Sequence, residues 1–177
     1  MSAGLSGSGG FVVDAVEGVL EQWRREFPDL DVSPIGVVGR IMRLSRLWDK
    51  EIKGFLAEHG LEPGEFDVLS TLRRSGEPYE LTAGTFLKAS LVTTGAITLR
   101  VDRMAGKGLV TRVPGDTDRR SVKIRLTPQG LELIDRVLPL HLENEARLLE
   151  GLGAGERQHL AGSLATLLES RGDTPAG

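Results

Sequence analysis

The stretch that decides the fold runs from Leu91 to Gly130 and reads LVTTGAITLRVDRMAGKGLVTRVPGDTDRRSVKIRLTPQG. In its first part, Ile97, Val101 and Met104 recur at the spacing of one helix face. A threonine is a good helix cap, and we expect this helix to begin at Thr93 and to end near residue 107. In its second part the apolar period changes from helical spacing to two, which is the period of a strand.

The second part predicts a β-hairpin that is followed directly by a helix. Apolar and polar side chains alternate over residues 109–113 and again over 122–126, and Pro114 to Asp118 has the composition of a turn. Thr127 and Pro128 then form a cap and first-turn proline for a helix that we expect to reach about Leu149. Short helices followed by a hairpin indicate a winged helix-turn-helix.

Outward from this stretch the sequence is helical on both sides. Apolar spacing and capping residues predict helices over 12–27, 34–59, 63–74 and 83–88 upstream, the last capped by Thr82, and over 154–170 downstream. We therefore predict a mainly α protein with a small β-hairpin wing, that is, a winged helix-turn-helix with long N- and C-terminal dimerisation helices. The terminal helices carry more leucine than one small domain covers, which favours a homodimer over an ordinary intrachain core.

The predicted organisation has four parts. Residues 1–10 form a disordered tail, and residues 11–33 form an extra N-terminal helix and linker. Residues 34–60 and 127–172 together form a helical dimerisation region, and residues 61–126 form the winged helix-turn-helix domain.

The charge of the chain is unevenly distributed. The 177 residues hold 22 Lys and Arg against 25 Asp and Glu, a net charge of -3. Residues 88–125 hold nine bases and three acids, a net of +6, and the remaining residues hold 13 bases and 22 acids, a net of -9. The acidic total therefore does not argue against a nucleic-acid partner, since one basic face is enough to bind a polyanion. The alternative is a chance cluster on a solvated face.

Composition excludes several classes of function. The chain has no cysteine, which removes disulfides, thiolate metal sites and cysteine-based redox sensing. The three histidines are dispersed and no phosphate-binding glycine loop is present, so we expect no enzyme, no metal and no cofactor. No apolar run approaches the roughly 20 residues of a membrane helix, and residues 1–10 lack the pattern of a signal peptide. We expect a cytoplasmic, nucleoid-associated protein without a membrane partner.

The candidate DNA-binding residues lie on the helix and on the wing. The first turn of the helix suits phosphate oxygens through its free amides, and the outward face carries side chains that reach bases or phosphates. An arginine on a stiff hairpin suits the minor groove. The candidates are Thr93, Thr94, Gly95, Thr98, Leu99, Arg103, Asp118, Arg119 and Arg120. The alternatives are a plain amphipathic helix and solubilising charge at a turn.

The same stretch resembles the MarR-type bacterial transcriptional regulators. The Gly-Leu-Val-x-Arg strand, the Asp-Arg-Arg wing and the Leu-Thr-Pro-x-Gly helix start occur in the family's order and spacing. The resemblance implies a homodimer that binds a pseudopalindromic site in double-stranded DNA. It implies that Arg120 enters the minor groove and that Asp118 braces the wing. Many relatives have asparagine where this chain has Leu99, which changes the expected base preference.

A second resemblance is to the urate-responsive PecS and HucR subgroup of that family. The segment QWRREFPDLDVSPIGVVGRIMRLSRL, from Gln22 to Leu47, carries it together with four candidate ligand-binding residues, Trp23, Asp67, Arg74 and Arg100. It implies that urate or a related purine anion releases the protein from DNA. A related branch responds to tricarboxylates such as trans-aconitate, so a polycarboxylate is the alternative ligand.

The residues themselves agree in part with that implication. Asp67 and Arg74 are seven apart and share one helix face, about 20° from each other. Arg100 lies on the flank of the core face of its helix and points toward the protein body. The alternatives to a ligand site are a core tryptophan, a solvated polar stripe and a phosphate-binding arginine. A winged helix used for protein contacts, or for architectural DNA binding without a ligand, is the competing function.

Overall fold

A computed structural model of the chain describes residues 14–89, 97–115 and 122–173. The elements in chain order are α1 (Ala15–Glu26), α2 (Ser33–Glu58), α3 (Pro63–Arg74), β1 (Glu80–Thr82), α4 (Ala83–Ala89), α5 (Ile97–Gly106), β2 (Val110–Pro114), β3 (Val122–Leu126), α6 (Pro128–Leu148) and α7 (Ala154–Glu169). This order confirms the predicted mainly α fold with a winged helix-turn-helix. Within the described ranges, no helix is both long and apolar enough to cross a membrane. The chain divides into two compact units, Met1–Lys50 and Glu51–Gly177.

In the first unit, a polar cluster joins α1 to the start of α2. The Asp14 side chain caps α1 by accepting hydrogen bonds from the amides of Val16 and Glu17, at 3.0 and 2.9 Å. Arg40 of α2 donates to Asp14 at 2.8 Å and to Glu17 at 3.2 Å. The Arg40 hydrogen bond is the main reason why the pKa of Asp14 is lowered. A small apolar cluster packs beside these groups, formed by Val16, Leu20, Val32 and Ile35.

Much of the apolar surface of the helices outside the winged helix remains exposed. On α1, on α2 and between them, ten large apolar side chains are at least two-fifths exposed: Val19, Trp23, Phe27, Leu30, Val37, Val38, Ile41, Met42, Leu44 and Leu47. The last helix, α7, has no buried residue, and Leu167 and Leu168 on it are half exposed. The described part of the chain therefore leaves these helix faces uncovered.

The second unit has a contiguous core around α3. Leu69 and Leu72 of α3 are fully buried, and they share the core with Phe86 of α4, Met104 of α5 and Ile134 of α6. On α5 the predicted pattern is confirmed, because Val101 and Met104 are buried whereas Leu99 is 71% exposed. The core therefore fixes α5 with one face toward the protein and the opposite face toward solvent.

The wing is a three-stranded antiparallel sheet with the order β1-β3-β2. The predicted hairpin of β2 and β3 is confirmed, with Arg112 opposite Ile124. The third strand, β1, was not predicted, and it places Leu81 opposite Ile124 on the other edge of β3. Thr82 follows as the predicted cap of α4, since its hydroxyl accepts from the amide of Thr85 at 3.1 Å.

An acidic residue fastens β1 to β3. The carboxylate of Glu80 accepts hydrogen bonds from Lys123 at 2.9 Å and from Arg125 at 2.6 Å. Both hydrogen bonds lower the pKa of Glu80, and the bond from Lys123 has the larger effect. Two basic residues of the wing therefore serve its own sheet.

Helix α5, the wing and α6 meet at one tight junction. Gly108 ends α5 with a φ of 72°, a left-handed conformation that glycine adopts without strain. The carbonyl of Leu109 then accepts from the amide of Thr127 at 3.2 Å, and the Thr127 hydroxyl accepts from the amide of Gly130 at 3.0 Å. A Cβ on Gly130 would lie 2.0 Å from the Leu109 carbonyl oxygen. Gly130 is therefore required by close backbone contact.

We predict that Gly130→Ala destabilises the protein by about 3 kcal/mol or more, because the clash is with backbone that cannot turn away. The measurement is urea unfolding followed by circular dichroism. Gly162→Ala in α7 is the matched control, since nothing lies within 4 Å of a Cβ built there. The control is expected to be neutral or up to about 1 kcal/mol more stable, the difference in helix propensity. Equal stability of the two variants would contradict the assignment.

Candidate nucleic-acid interface and ligand site

The solvent face of α5 presents the side chains that the sequence selects for base and phosphate contact. Thr98 is exposed, Leu99 is 71% exposed, and the Arg103 side chain is 48% exposed. Their contact with DNA remains a prediction. Thr93, Thr94, Gly95, Asp118, Arg119 and Arg120 lie outside the described residues.

Three ion pairs hold α5 against α3, and the longest joins Arg103 Nε to Glu65 at 3.9 Å. Arg103 donates to the exposed carboxylate of Glu62 at 2.7 Å, and Lys107 lies 2.8 Å from the carboxylate of Glu65. Glu65 is fully buried, and it also accepts from the amide of Glu62 at 3.0 Å, which forms a capping box at the start of α3. A fourth pair, Asp102 with Arg112, joins α5 to β2. Helix α5 is therefore fixed to both α3 and the wing.

Glu65 and Lys107 were not among the predicted site residues. Glu65 falls at the third position of a helix that begins at Pro63, which is the Glu half of a capping-box signal, although Glu62 is not one of the usual N-cap residues. The partner of Glu65, Lys107 directly after α5, is 42 residues away in the chain, so no local pattern indicates the pair.

Arg100 turns back from α5 onto the first turn of α3, as its helical position predicts. A Cβ built on Gly64 would lie 2.4 Å from both Cζ and Nε of Arg100 and 2.6 Å from Nη2. The guanidinium group therefore rests on the bare backbone at Gly64. Among the residues that the structure describes, Nε and Nη1 of Arg100 are buried without a hydrogen-bond partner.

The polar stripe of α3 is only partly solvated. Asp67 is 6% exposed and Thr71 is 1% exposed. Arg74 is exposed. Its Nη2 atom donates to the Thr71 hydroxyl at 3.2 Å, so the side chain folds back toward the preceding turn of the helix. Gly64, Asp67, Thr71 and Arg74 follow spacings of three and four, which places them on one side of α3. The predicted ligand-binding residues Asp67, Arg74 and Arg100 are thus associated with the same side of one helix.

Trp23 belongs to the first unit, and its role in ligand binding remains a prediction. It is 43% exposed, and its ring centroid lies 5.6 Å from that of Phe27. In the described part of the chain, no three His, Cys, Asp or Glu side chains are grouped so as to hold a metal ion.

This fold, with an exposed α5 face beside a short three-stranded wing, defines a winged helix-turn-helix protein. Comparison with known proteins agrees. A family model described as MarR family matches residues 59–121. The chain is 40% identical over 145 residues to the HTH-type transcriptional regulator PecS of Dickeya dadantii, a match that covers 82% of this chain and 87% of that protein. The chain therefore belongs to the MarR family of DNA-binding transcriptional regulators.

Solved structures show the same fold. The crystal structure of AbsC, a MarR family transcriptional regulator from Streptomyces coelicolor, superposes with a TM-score of 0.73 at 21% identity, over 82% of this chain and 98% of that one. A cysteine-to-serine mutant of MarR from E. coli, complexed with operator DNA, gives a TM-score of 0.66 at 24% identity, over 82% and 97%. The relatives are transcriptional regulators, which confirms the prediction that this chain is not an enzyme.

We predict that Glu62 and Glu65 differ in how strongly they stabilise the contact between α3 and α5. Glu65→Gln is expected to cost about 2 kcal/mol, because Lys107 loses the charge of a fully buried partner. Glu62→Gln is the matched control and is expected to cost less than about 1 kcal/mol, because its pair with Arg103 is exposed to solvent. The check is the free energy of unfolding in urea. An equal cost in both variants would show that burial of Glu65 does not set the strength of its contact.

Proposed function

We propose that this protein is a homodimeric repressor that binds a pseudopalindromic operator and is released by urate or a related anionic metabolite. The observation that carries the proposal is the geometry of α5. Its outer face exposes Thr98, Leu99 and Arg103, while Arg100 on the same helix is turned inward with buried guanidinium nitrogens. One helix thus carries candidate groups for DNA on one side and for an anion on the other.

The uncovered helix faces support the homodimer. The exposed apolar side chains of α2, including Val37, Ile41 and Met42, recur at helical spacing, and α7 has no buried residue. Apolar surface of this extent is usually covered by a partner, and a winged helix-turn-helix dimer matches two half-sites of one operator. A second copy of the chain is therefore the proposed partner.

The proposed DNA contacts are divided between the recognition helix α5 and the wing. Thr93, Thr94 and Gly95 are assigned to phosphate, Thr98, Leu99 and Arg103 to the major groove, and Asp118, Arg119 and Arg120 to the wing in the minor groove. The excess of six positive charges over residues 88–125 supports this division. In the described part, five bases of this region are paired with acids of the fold, so much of this excess serves structure: Arg103, Lys107, Arg112, Lys123 and Arg125.

We predict that Arg120→Ala weakens binding to the operator by about tenfold or more without changing the dimer, since a minor-groove arginine is lost. The measurement is a gel-shift titration against DNA from upstream of the protein's own coding sequence, at two salt concentrations. Arg171→Ala, on an exposed residue beyond α7, is the control. Unchanged affinity would refute the wing assignment. Binding without sequence preference would indicate an architectural role, and binding with no salt dependence would favour a protein-interaction module.

The proposed ligand is a small anion that binds Arg100, with Asp67 and Arg74 as further contacts. A guanidinium group with unpartnered nitrogens favours an oxyanion, and a carboxylate on the same side of α3 accepts an N–H of a purine. Trp23 is assigned as a stacking residue from the sequence resemblance. The anion weakens DNA binding because it moves Arg100, and therefore α5, away from the position that the operator requires.

We predict that urate raises the thermal unfolding midpoint of the wild-type protein and releases it from the operator, whereas in Arg100→Gln both effects require about tenfold more urate, because one charge-assisted hydrogen bond is lost. Xanthine, hypoxanthine, citrate and trans-aconitate are titrated in parallel. Stabilisation by a tricarboxylate alone would replace urate with a polycarboxylate as the ligand class. Absence of stabilisation by all five compounds would refute the ligand switch.

A further inference from the structure

Gly64 is the residue against which the Arg100 guanidinium packs. Gly64 is the second residue of α3, and a Cβ at this position would come within 2.4 Å of Arg100 Cζ. Only a residue without a side chain leaves this space open, although its φ is not in the left-handed region. The glycine is therefore explained by the neighbouring arginine and by no demand of the local backbone.

The position that the Arg100 guanidinium occupies against Gly64 lacks enough hydrogen-bond acceptors in the described part of the chain. The first turn of a helix carries partial positive charge, so a guanidinium group packed there lies near a repulsive field. The nearby carboxylate of Glu62 pairs with Arg103, and Glu65 Oε2 accepts from Lys107 and from the Glu62 amide, while Glu65 Oε1 is buried without a hydrogen-bond partner among the residues that the structure describes. Within the described residues, Nε and Nη1 of Arg100 have no hydrogen-bond acceptor although both are buried. A bound anion would supply the missing acceptor.

We propose that Gly64 is a positioning residue of the ligand switch, which holds the Arg100 guanidinium in a buried and unsatisfied state so that an anion can bind it. The inference rests on the proposed function and extends it to a residue that contacts the ligand only through Arg100. A methyl group at position 64 displaces the guanidinium group, and the displacement is easily accommodated because that group is the free end of a flexible side chain. The fold is therefore expected to tolerate the change.

The first experiment tests, without any ligand, whether Gly64 keeps the Arg100 guanidinium buried. Hydrogen exchange of the Arg100 Nε–H is measured by ¹⁵N NMR in the full-length protein, with Arg100→Gln used to assign the resonance. We expect this proton to exchange slowly in the wild type, because Nε is buried. In Gly64→Ala it exchanges at the rate of a solvated arginine. Equal exchange in the two proteins would overturn the inference.

The second experiment tests whether Gly64 acts through Arg100. The affinity for urate is measured by calorimetry in the wild type, Gly64→Ala, Arg100→Gln and the double variant. Gly64→Ala is expected to weaken binding by about tenfold or more in the wild-type background, as for loss of a hydrogen bond to a charged group, and to have no effect in the Arg100→Gln background. An equal loss in both backgrounds, or none in the wild type, would overturn the inference.

A matched control separates loss of the Arg100 packing position from the general effect of replacing a helix glycine with alanine. Gly54→Ala is also a helix substitution in the second unit, and nothing lies within 4 Å of a Cβ built there. It is expected to change neither exchange at Arg100 nor urate affinity, and an equal effect of Gly54→Ala would overturn the inference. If the wild type binds no urate, the proposed function fails for that ligand, and the exchange experiment alone decides the role of Gly64.

Discussion

The contact between the Leu109 carbonyl and the backbone of Gly130 is the constraint on which the winged helix-turn-helix depends. Leu109 follows the last turn of α5 and precedes β2, while Gly130 lies in the first turn of α6. The Thr127 amide donates to that same carbonyl, and the Thr127 hydroxyl donates to the carbonyl of Gly108 at 2.6 Å. The end of α5, the base of the wing and the start of α6 thus share a few backbone atoms. Since a Cβ at Gly130 would lie 2.0 Å from the Leu109 carbonyl oxygen, the orientation of α5 relative to α6 is set by backbone contact.

Polar contacts between residues distant in the chain also fix the position of α5 and of the strands. The buried carboxylate of Glu65 ties the end of α5 to α3, because a fully buried charge without its lysine partner would be costly. Asp102 with Arg112 connects α5 to β2, and Glu80 with Lys123 and Arg125 connects β1 to β3. Several of the basic side chains in the region of positive charge are therefore paired with acids of the fold. The net charge of that region thus overstates the charge that is free to meet phosphate.

The sequence predicts most of the helices well because apolar periodicity and caps are local signals. The predicted cap at Thr127 and the hairpin strand 122–126 agree with the structure. Strand β1 was missed because three residues are too few to show alternation, and its partner strand β3 is distant in the chain. Glu65 was missed as a burial site because a charged residue on a helix is normally solvated. The close approach of Arg100 to Gly64 could not be predicted from the sequence, since it joins side chain and backbone from two different helices.

The magnitudes of these contacts limit how a ligand signal can travel from Arg100 to the operator. A switch of ordinary strength couples its two sites by about 1–3 kcal/mol. The exposed pair of Arg103 with Glu62 contributes less than about 1 kcal/mol, so its rearrangement alone is too weak to carry such a signal. The buried contact of Lys107 with Glu65 lies on the same two helices and is strong enough. Under the proposed function, the effective ligand is therefore one that moves α5 as a unit against α3. By linkage, the operator-bound protein must then bind that ligand more weakly by the same factor.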